Sequence, residues 1–142
     1  MSGKSSLQKF KERVFELFKF GTVGFLGTLT NLTIFFLMVD LGGFDHNLGS
    51  VAGFLVSVTQ NFILNKRWTF SARLDGPARL LAAYAKFVGV ALGGLFVNIL
   101  ALNAVLAVIV LPYKTIGQGI GILAGMSVNY LGFRYLVFRK SA

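Results

Sequence analysis

The chain has 142 residues, of which 55% are hydrophobic and 13% charged, and its mean hydropathy is +0.72. Such a balance, with charges clustered between long uncharged stretches, excludes a soluble globular enzyme and points to a membrane protein. Cys is absent and His46 is the single histidine, so thiol chemistry, disulfides and His or Cys metal clusters are excluded as well.

In chain order, Leu7, Phe10, Val14 and Leu17 recur at helical spacing among Lys9, Lys11, Glu12 and Arg13. They predict a short amphipathic helix lying in the cytoplasmic interface. This segment does not read as a cleaved signal, because the apolar run that follows is too long and three more come after it. Residues 20–39, between Lys19 and Asp40, are 20 uncharged positions, which as a helix cover roughly 30 Å, one bilayer crossing. Residues 47–65, 87–113 and 115–133 supply uncharged runs of 19, 27 and 19. The expectation is an all-α, polytopic protein of four transmembrane helices, since alternating barrel strands are not seen and backbone in lipid must bond internally. Asp40, Asp45 and His46, between the first two runs, read as a solvated turn. Between the second and third, Asp75-Gly76-Pro77 is a breaker with Pro77 at a first helical position, and the linker is too short to hold a domain.

The basic residues give the orientation. Five precede the first run (Lys4, Lys9, Lys11, Arg13, Lys19), five lie between the second and third (Lys66, Arg67, Arg73, Arg79, Lys86), and three follow the fourth (Arg134, Arg139, Lys140). Only Lys114 falls on the other side, so both termini and the middle loop are expected in the cytoplasm. The net charge of +9 is thereby explained by topology and anionic headgroups, and nucleic acid is not a partner.

The chain also repeats. A shift of 67 places Lys19, Phe20, Gly27 and Asn31 on Lys86, Phe87, Gly94 and Asn98, and a shift of 68 places Gly49, Gly53, Asn61 and Phe70 on Gly117, Gly121, Asn129 and Phe138. Ser57 then falls on Gly125 and Lys66 on Arg134. Two-helix units that return to their starting side have the same orientation, so the expectation is two parallel repeats, about 18–70 and 85–138, in one domain spanning 1–142.

Asn31 and Asn98 stand near mid-depth on small-residue faces, as helix glue or as ligands to a polar cargo. The Gly49, Gly53, Ser57 and Gly117, Gly121, Gly125 stripes read as packing faces. Gln60 and Asn61 continue the polar side of the second span to Asn65, Lys66, Arg67 and Trp68. Bases beside a Trp at a helix exit fit ordinary snorkelling, or a lipid-phosphate site in which Arg67 forks onto two oxygens and Lys66 adds a point charge. Arg134, Lys19 and Lys86 are the pseudo-symmetric counterpart. No carboxylate lies within a span, and no catalytic set or metal cluster is legible, so neither a proton-coupled antiporter nor an enzyme is expected, and no cofactor is called for.

Phe18-Lys19-Phe20-Gly21, Gly27, Asn31 and, above all, Asn61-Phe62 followed by Asn65-Lys66-Arg67-Trp68-Thr69-Phe70 resemble the GtrA-like family of small four-helix membrane proteins. The resemblance runs from about residue 18 to 138; the second copy departs from the motif at Phe133 and at Tyr135-Leu136, where the first has Asn65 and Arg67-Trp68. It implies translocation of a polyprenyl-phosphate-linked monosaccharide across the cytoplasmic membrane of a prokaryote, for a membrane glycosyltransferase making cell-surface polysaccharide. On that reading Lys66, Arg67 and Arg134, with Lys19 and Lys86, meet the phosphate, and Asn31, Gln60, Asn61, Asn65, Asn98 and Asn129 form the polar path for sugar hydroxyls. Because four helices are few to enclose a sugar, a homodimer along a glycine stripe is expected. The alternative is a non-catalytic anchor that recruits a polyprenyl-phosphate glycosyltransferase.

Overall fold

The computed structural model describes residues 5–69 and 76–132, which form four long helices and no strand. Helix α1 spans Ser6–Phe35 and runs on without a break as a π-helical segment, Phe36–Leu41. Ser5 opens it with a capping box: its Oγ accepts from the Gln8 N–H at 3.3 Å, and its own N–H donates to Gln8 Oε1 at 3.1 Å. Helix α2 (His46–Leu64) continues as a π-helical segment, Asn65–Thr69; α3 spans Pro77–Val108 and α4 Lys114–Gly132.

This continuity corrects the expectation of a separate N-terminal interfacial helix. Residues 7–19 contain no Pro or Gly and are rich in Leu, Lys, Arg and Glu, all good helix formers, so nothing stops the helix before the apolar run. Leu7, Phe10, Val14 and Leu17 are exposed along the first turns of α1 itself. At the other junctions glycine and proline set the helix limits, as expected for Gly76-Pro77. Gly43 takes φ +70° ahead of α2, and Gly76 takes φ +96° immediately before Pro77 starts α3, a conformation that favours glycine. Helix α3 ends at Val108, short of the uncharged run's limit at Tyr113, because Pro112 disfavours helix in the residue before it and has no N–H to donate.

Among the described residues, three segments are long and apolar enough to cross a membrane: Ser6–Leu41, His46–Trp68 and Leu80–Val108. Helix α4 has 19 residues, but its glycines, Gln118, Ser127 and Asn129 dilute its apolar character. The outward faces carry large exposed apolar side chains, Phe25, Phe96 and Leu123 among them, which lipid tolerates and water does not.

Inside, α1 packs on α2 and α3 on α4 through one contact made four times. Asn31 sets its carbonyl and amide against Gly53, where a Cβ would fall 2.9 Å from either oxygen, and Asn61 sets its amide against Gly27. In the second pair Asn98 lies on Gly121 and Asn129 on Gly94. Gly125 meets the Gly94 main chain directly, while Gly49 receives Val39 and Gly117 faces Leu102. Both stripes are therefore filled from within the chain.

Two capping carboxylates replace the predicted solvated turn. Asp45 caps its own helix, accepting from the Asn47 and Leu48 N–H groups at 2.9 and 3.1 Å. Asp40, half-buried, caps α4 from across the bundle, accepting from the Lys114 and Thr115 N–H groups at 2.9 and 3.0 Å and from the Thr115 hydroxyl. The helix N-terminus, with its orphan donors and positive dipole end, is the physical reason each carboxylate settles there.

A Cβ at Gly125 would land on the Gly94 carbonyl oxygen, whereas one at Gly119 meets nothing within 4 Å. Gly125→Ala is therefore expected to cost about 1–3 kcal/mol or more by overpacking, and Gly119→Ala to be neutral or slightly stabilising; thermal unfolding of the two variants in one detergent checks the pair.

Candidate functional site

The two helix pairs meet along two seams, α1 with α4 and α2 with α3, each tied by polar bonds in one half of the bundle. Across the first, Gln118 Nε2 donates to Asn31 Oδ1 at 2.9 Å, and Asp40 caps α4. Across the second, Asn98 Nδ2 donates to Ser50 Oγ at 3.4 Å and Asn103 Nδ2 to Asn47 Oδ1 at 2.7 Å, with His46 Nε2 at 2.9 Å from Asn103 Oδ1. Asn31, Ser50, Asn98 and Gln118 are all buried and form a polar layer; beyond it Phe35, Val39 and Leu102 close the bundle with an apolar plug flanked by Met38 and Leu106.

On the other side of the polar layer the bundle holds a cavity of about 390 Å³ lined by all four helices. This volume lies in the range of small-molecule sites, roughly 300–1,000 Å³. Asn31 and Asn98 stand at its deep end, Asn61 and Asn129 line its walls, and Phe20 and Phe87 stand at its mouth. Eleven residues separate Phe20 from Asn31, about 16 Å of helix, or half a bilayer core. The cavity thus runs from the level of Phe20 and Phe87, which follow Lys19 and Lys86, to the level of Asn31 and Asn98.

All four asparagines of the expected polar path that belong to the repeat motif converge on this cavity. Asn61 Oδ1 and Asn98 Oδ1 have no N–H or O–H partner among the described residues, nor has Gln118 Oε1 in the layer. Each is an acceptor. The two asparagine oxygens rest against glycine Cα positions, contacts that only weakly replace a hydrogen bond. Gln60 and Asn65 are not brought to the cavity. Gln60 accepts from the Thr30 hydroxyl at 2.8 Å, joining α1 to α2, and Asn65 is buried at the end of α2.

The basic groups gather at the open end. Lys66 is half-buried and Arg67 and Trp68 are exposed, just past the last turn of α2. Lys19 reaches across from α1: its Nζ donates to the Trp68 carbonyl at 3.4 Å and sits 5.7 Å from the Trp68 ring and 4.7 Å from the Phe15 ring, a cation–π arrangement that pins the α2 exit to α1. Lys86 is exposed on α3. Arg134, the proposed partner of Lys66, lies outside the described residues, as do Phe133, Phe138, Arg139 and Lys140.

Residues 19–138 match the family described as GtrA/DPMS, transmembrane domain. The chain belongs to that family. The matched segment opens at Lys19, so it contains the whole cavity and the polar layer and leaves out the first turns of α1. An uncharacterized membrane protein of Bacillus subtilis (strain 168), YwcD, is 24% identical over 119 residues, 84% of this chain and 93% of the relative.

Ser50, Asn103 and Gln118 are the site residues that sequence reasoning missed. The signal was present: the shift of 68 that pairs the glycines also places Ser50 on Gln118, and these two residues make the two equivalent cross-seam bonds. Asn31→Leu should strand the fully buried Gln118 amide and cost about 1–3 kcal/mol, and Asn31→Leu with Gln118→Leu should recover much of that loss. A double-mutant cycle on unfolding free energy tests the bond directly.

Proposed function

We propose that this GtrA/DPMS-family chain crosses the cytoplasmic membrane of a prokaryote four times, as two repeats of one orientation with both termini and the middle loop in the cytoplasm. There it translocates a polyprenyl-phosphate-linked monosaccharide for cell-surface polysaccharide synthesis. The observation that carries the reading is the cavity lined by Asn31, Asn61, Asn98 and Asn129, with Phe20 and Phe87, the neighbours of Lys19 and Lys86, at one end. Amides both donate and accept, as sugar hydroxyls do, and the unpaired oxygens of Asn61 and Asn98 are acceptors for hydroxyl donors. Lys66 and Arg67, with Lys19 and Lys86, supply the cations for a phosphodiester at headgroup depth, and Arg134 is their expected counterpart in the second repeat. Trp68 anchors that end at the membrane interface. The chain's role is movement of a lipid, with bond chemistry left to a membrane glycosyltransferase on the far side.

The assay follows, in liposomes holding the purified protein, how fast inner-leaflet polyprenyl-phosphate-glucose becomes accessible to an impermeant oxidant. Transport well above empty liposomes is expected, and a Lys66→Ala, Arg67→Ala double variant should lose at least about tenfold, the equivalent of one charge-assisted contact. Folded protein that accelerates nothing with several sugars would overturn translocation in favour of an anchor that recruits the glycosyltransferase.

A further inference from the structure

The two seams are equivalent by the repeat but not equally closed, and the difference says where the ligand's hydrocarbon chain lies. Among the described residues that line the cavity, those also exposed on the outer surface are Phe20, Gly21 and Met126. All three belong to α1 and α4; the lining residues of α2 and α3 are buried or half-buried. The repeat makes the comparison residue by residue. Met126 is 49% exposed, whereas its counterpart Val58 is 4% exposed. Gly21 is exposed and a Cβ there meets nothing within 4 Å, while its counterpart is Val88, half-buried on α3. Gly24, next along the α1 edge, likewise has open space before it.

The α2–α3 seam is instead packed at this level. The Phe62 ring centroid lies 4.8 Å from that of Tyr84 and 6.0 Å from that of Phe87, and the Tyr84 hydroxyl is 3.2 Å from the Thr59 hydroxyl. The repeat partner of Tyr84 is Leu17, which is 69% exposed and has no ring or hydroxyl to offer the seam.

We propose that the α1–α4 seam between the polar layer and the mouth is a lateral portal, through which the single hydrocarbon chain of a lipid lies in the membrane while its head occupies the cavity. The inference rests on the proposed function for the identity of that lipid. The edge residues Phe20, Gly21, Gly24 and Met126 present apolar atoms and glycine space, which suit a hydrocarbon chain and offer a sugar nothing to bond. Met126 stands eight residues along α4 from Gln118, about 12 Å from the polar layer, so the opening faces the tails of one leaflet. The α2–α3 seam, held by aromatic contacts at one end and by Asn98–Ser50 and Asn103–Asn47 at the other, stays shut.

The test uses two photoreactive probes in liposomes with the full chain: a polyprenyl-phosphate-glucose with a diazirine in its prenyl chain, and a phosphatidylglycerol with a diazirine in an acyl chain. Peptide mapping after illumination should place prenyl-probe adducts on residues 20–28 and 122–129, and unmodified polyprenyl-phosphate-glucose should suppress them. Adducts at Val58 or Val88, or spread evenly over the outer faces, would overturn the portal. Seam adducts from the phosphatidylglycerol probe that unmodified polyprenyl-phosphate-glucose leaves untouched would support the portal and overturn the prenyl-phosphate reading of its occupant. Gly21→Phe places a ring into open space, so it should fold and reduce seam labelling at least fivefold, whereas Leu123→Trp on the outer face of α4 should leave labelling within twofold. Unchanged seam labelling in folded Gly21→Phe protein would also overturn the portal.

Discussion

Everything in this bundle depends on an asparagine amide set against a facing glycine. In lipid the hydrophobic effect does not hold helices together, because a helix side chain is no better off against another helix than against a lipid tail. What remains is close approach and polar contact, and the Asn–Gly pair supplies both. The glycine lets the backbones come near, and the amide fills the gap while keeping a donor and an acceptor at mid-depth. Made twice in each helix pair, by Asn31 and Asn61 in one and Asn98 and Asn129 in the other, it builds two rigid units whose spare amide valences point toward each other.

Those spare valences decide how the units join. Asn31 and Asn98 have one partner in Gly53 and Gly121 and a second across the seams, in Gln118 and Ser50. The layer is buried, so each bond is protected from competition by water, and the ties beyond it, Asp40 on α4 and Asn103 on Asn47, close the same end. At the opposite end the facing surfaces interleave glycine, alanine and asparagine with larger apolar groups. A cavity is the result: the small residues that allow tight packing within each pair leave space between the pairs.

The long apolar helices were legible because charge-free length is a strong signal in a membrane chain, and residues 20–39 or 87–108 hold little else; of the four expected spans, three are long and apolar enough to cross among the described residues. The asparagines of the cavity were legible for a similar reason, since an amide inside a span has few roles. Harder to see was which neighbour each would meet. Gln60 and Asn61 are adjacent in sequence, yet a helix turns about 100° per residue, so one bonds Thr30 and the other faces Gly27 and the cavity. Asp40 read as loop because its function is to cap a helix that begins 74 residues later, a long-range contact that local pattern does not carry. The unbroken α1 is illegible for another reason: amphipathic character speaks to how a segment is oriented, whereas helix continuity depends on the backbone, and residues 7–19 contain no Pro or Gly to interrupt it.

The polar layer also bears on how a polar cargo would pass. Separating Asn31 from Gln118 in a dry interior strands a donor and an acceptor, at a cost of about 1–3 kcal/mol for each group left unpaired. With the cavity empty, that cost keeps the layer shut. A cargo bearing several hydroxyls changes the balance, because each hydroxyl that reaches the deep end can take the place of the amide that is leaving, and Asn98 Oδ1 and Gln118 Oε1 already lack partners. On the proposed function, then, the layer is a barrier to apolar lipids and ions and a weaker one to sugars. Its selectivity comes from exchanging one set of hydrogen bonds for another, which a hydrocarbon chain has no groups to do and which a lateral seam allows the chain to avoid.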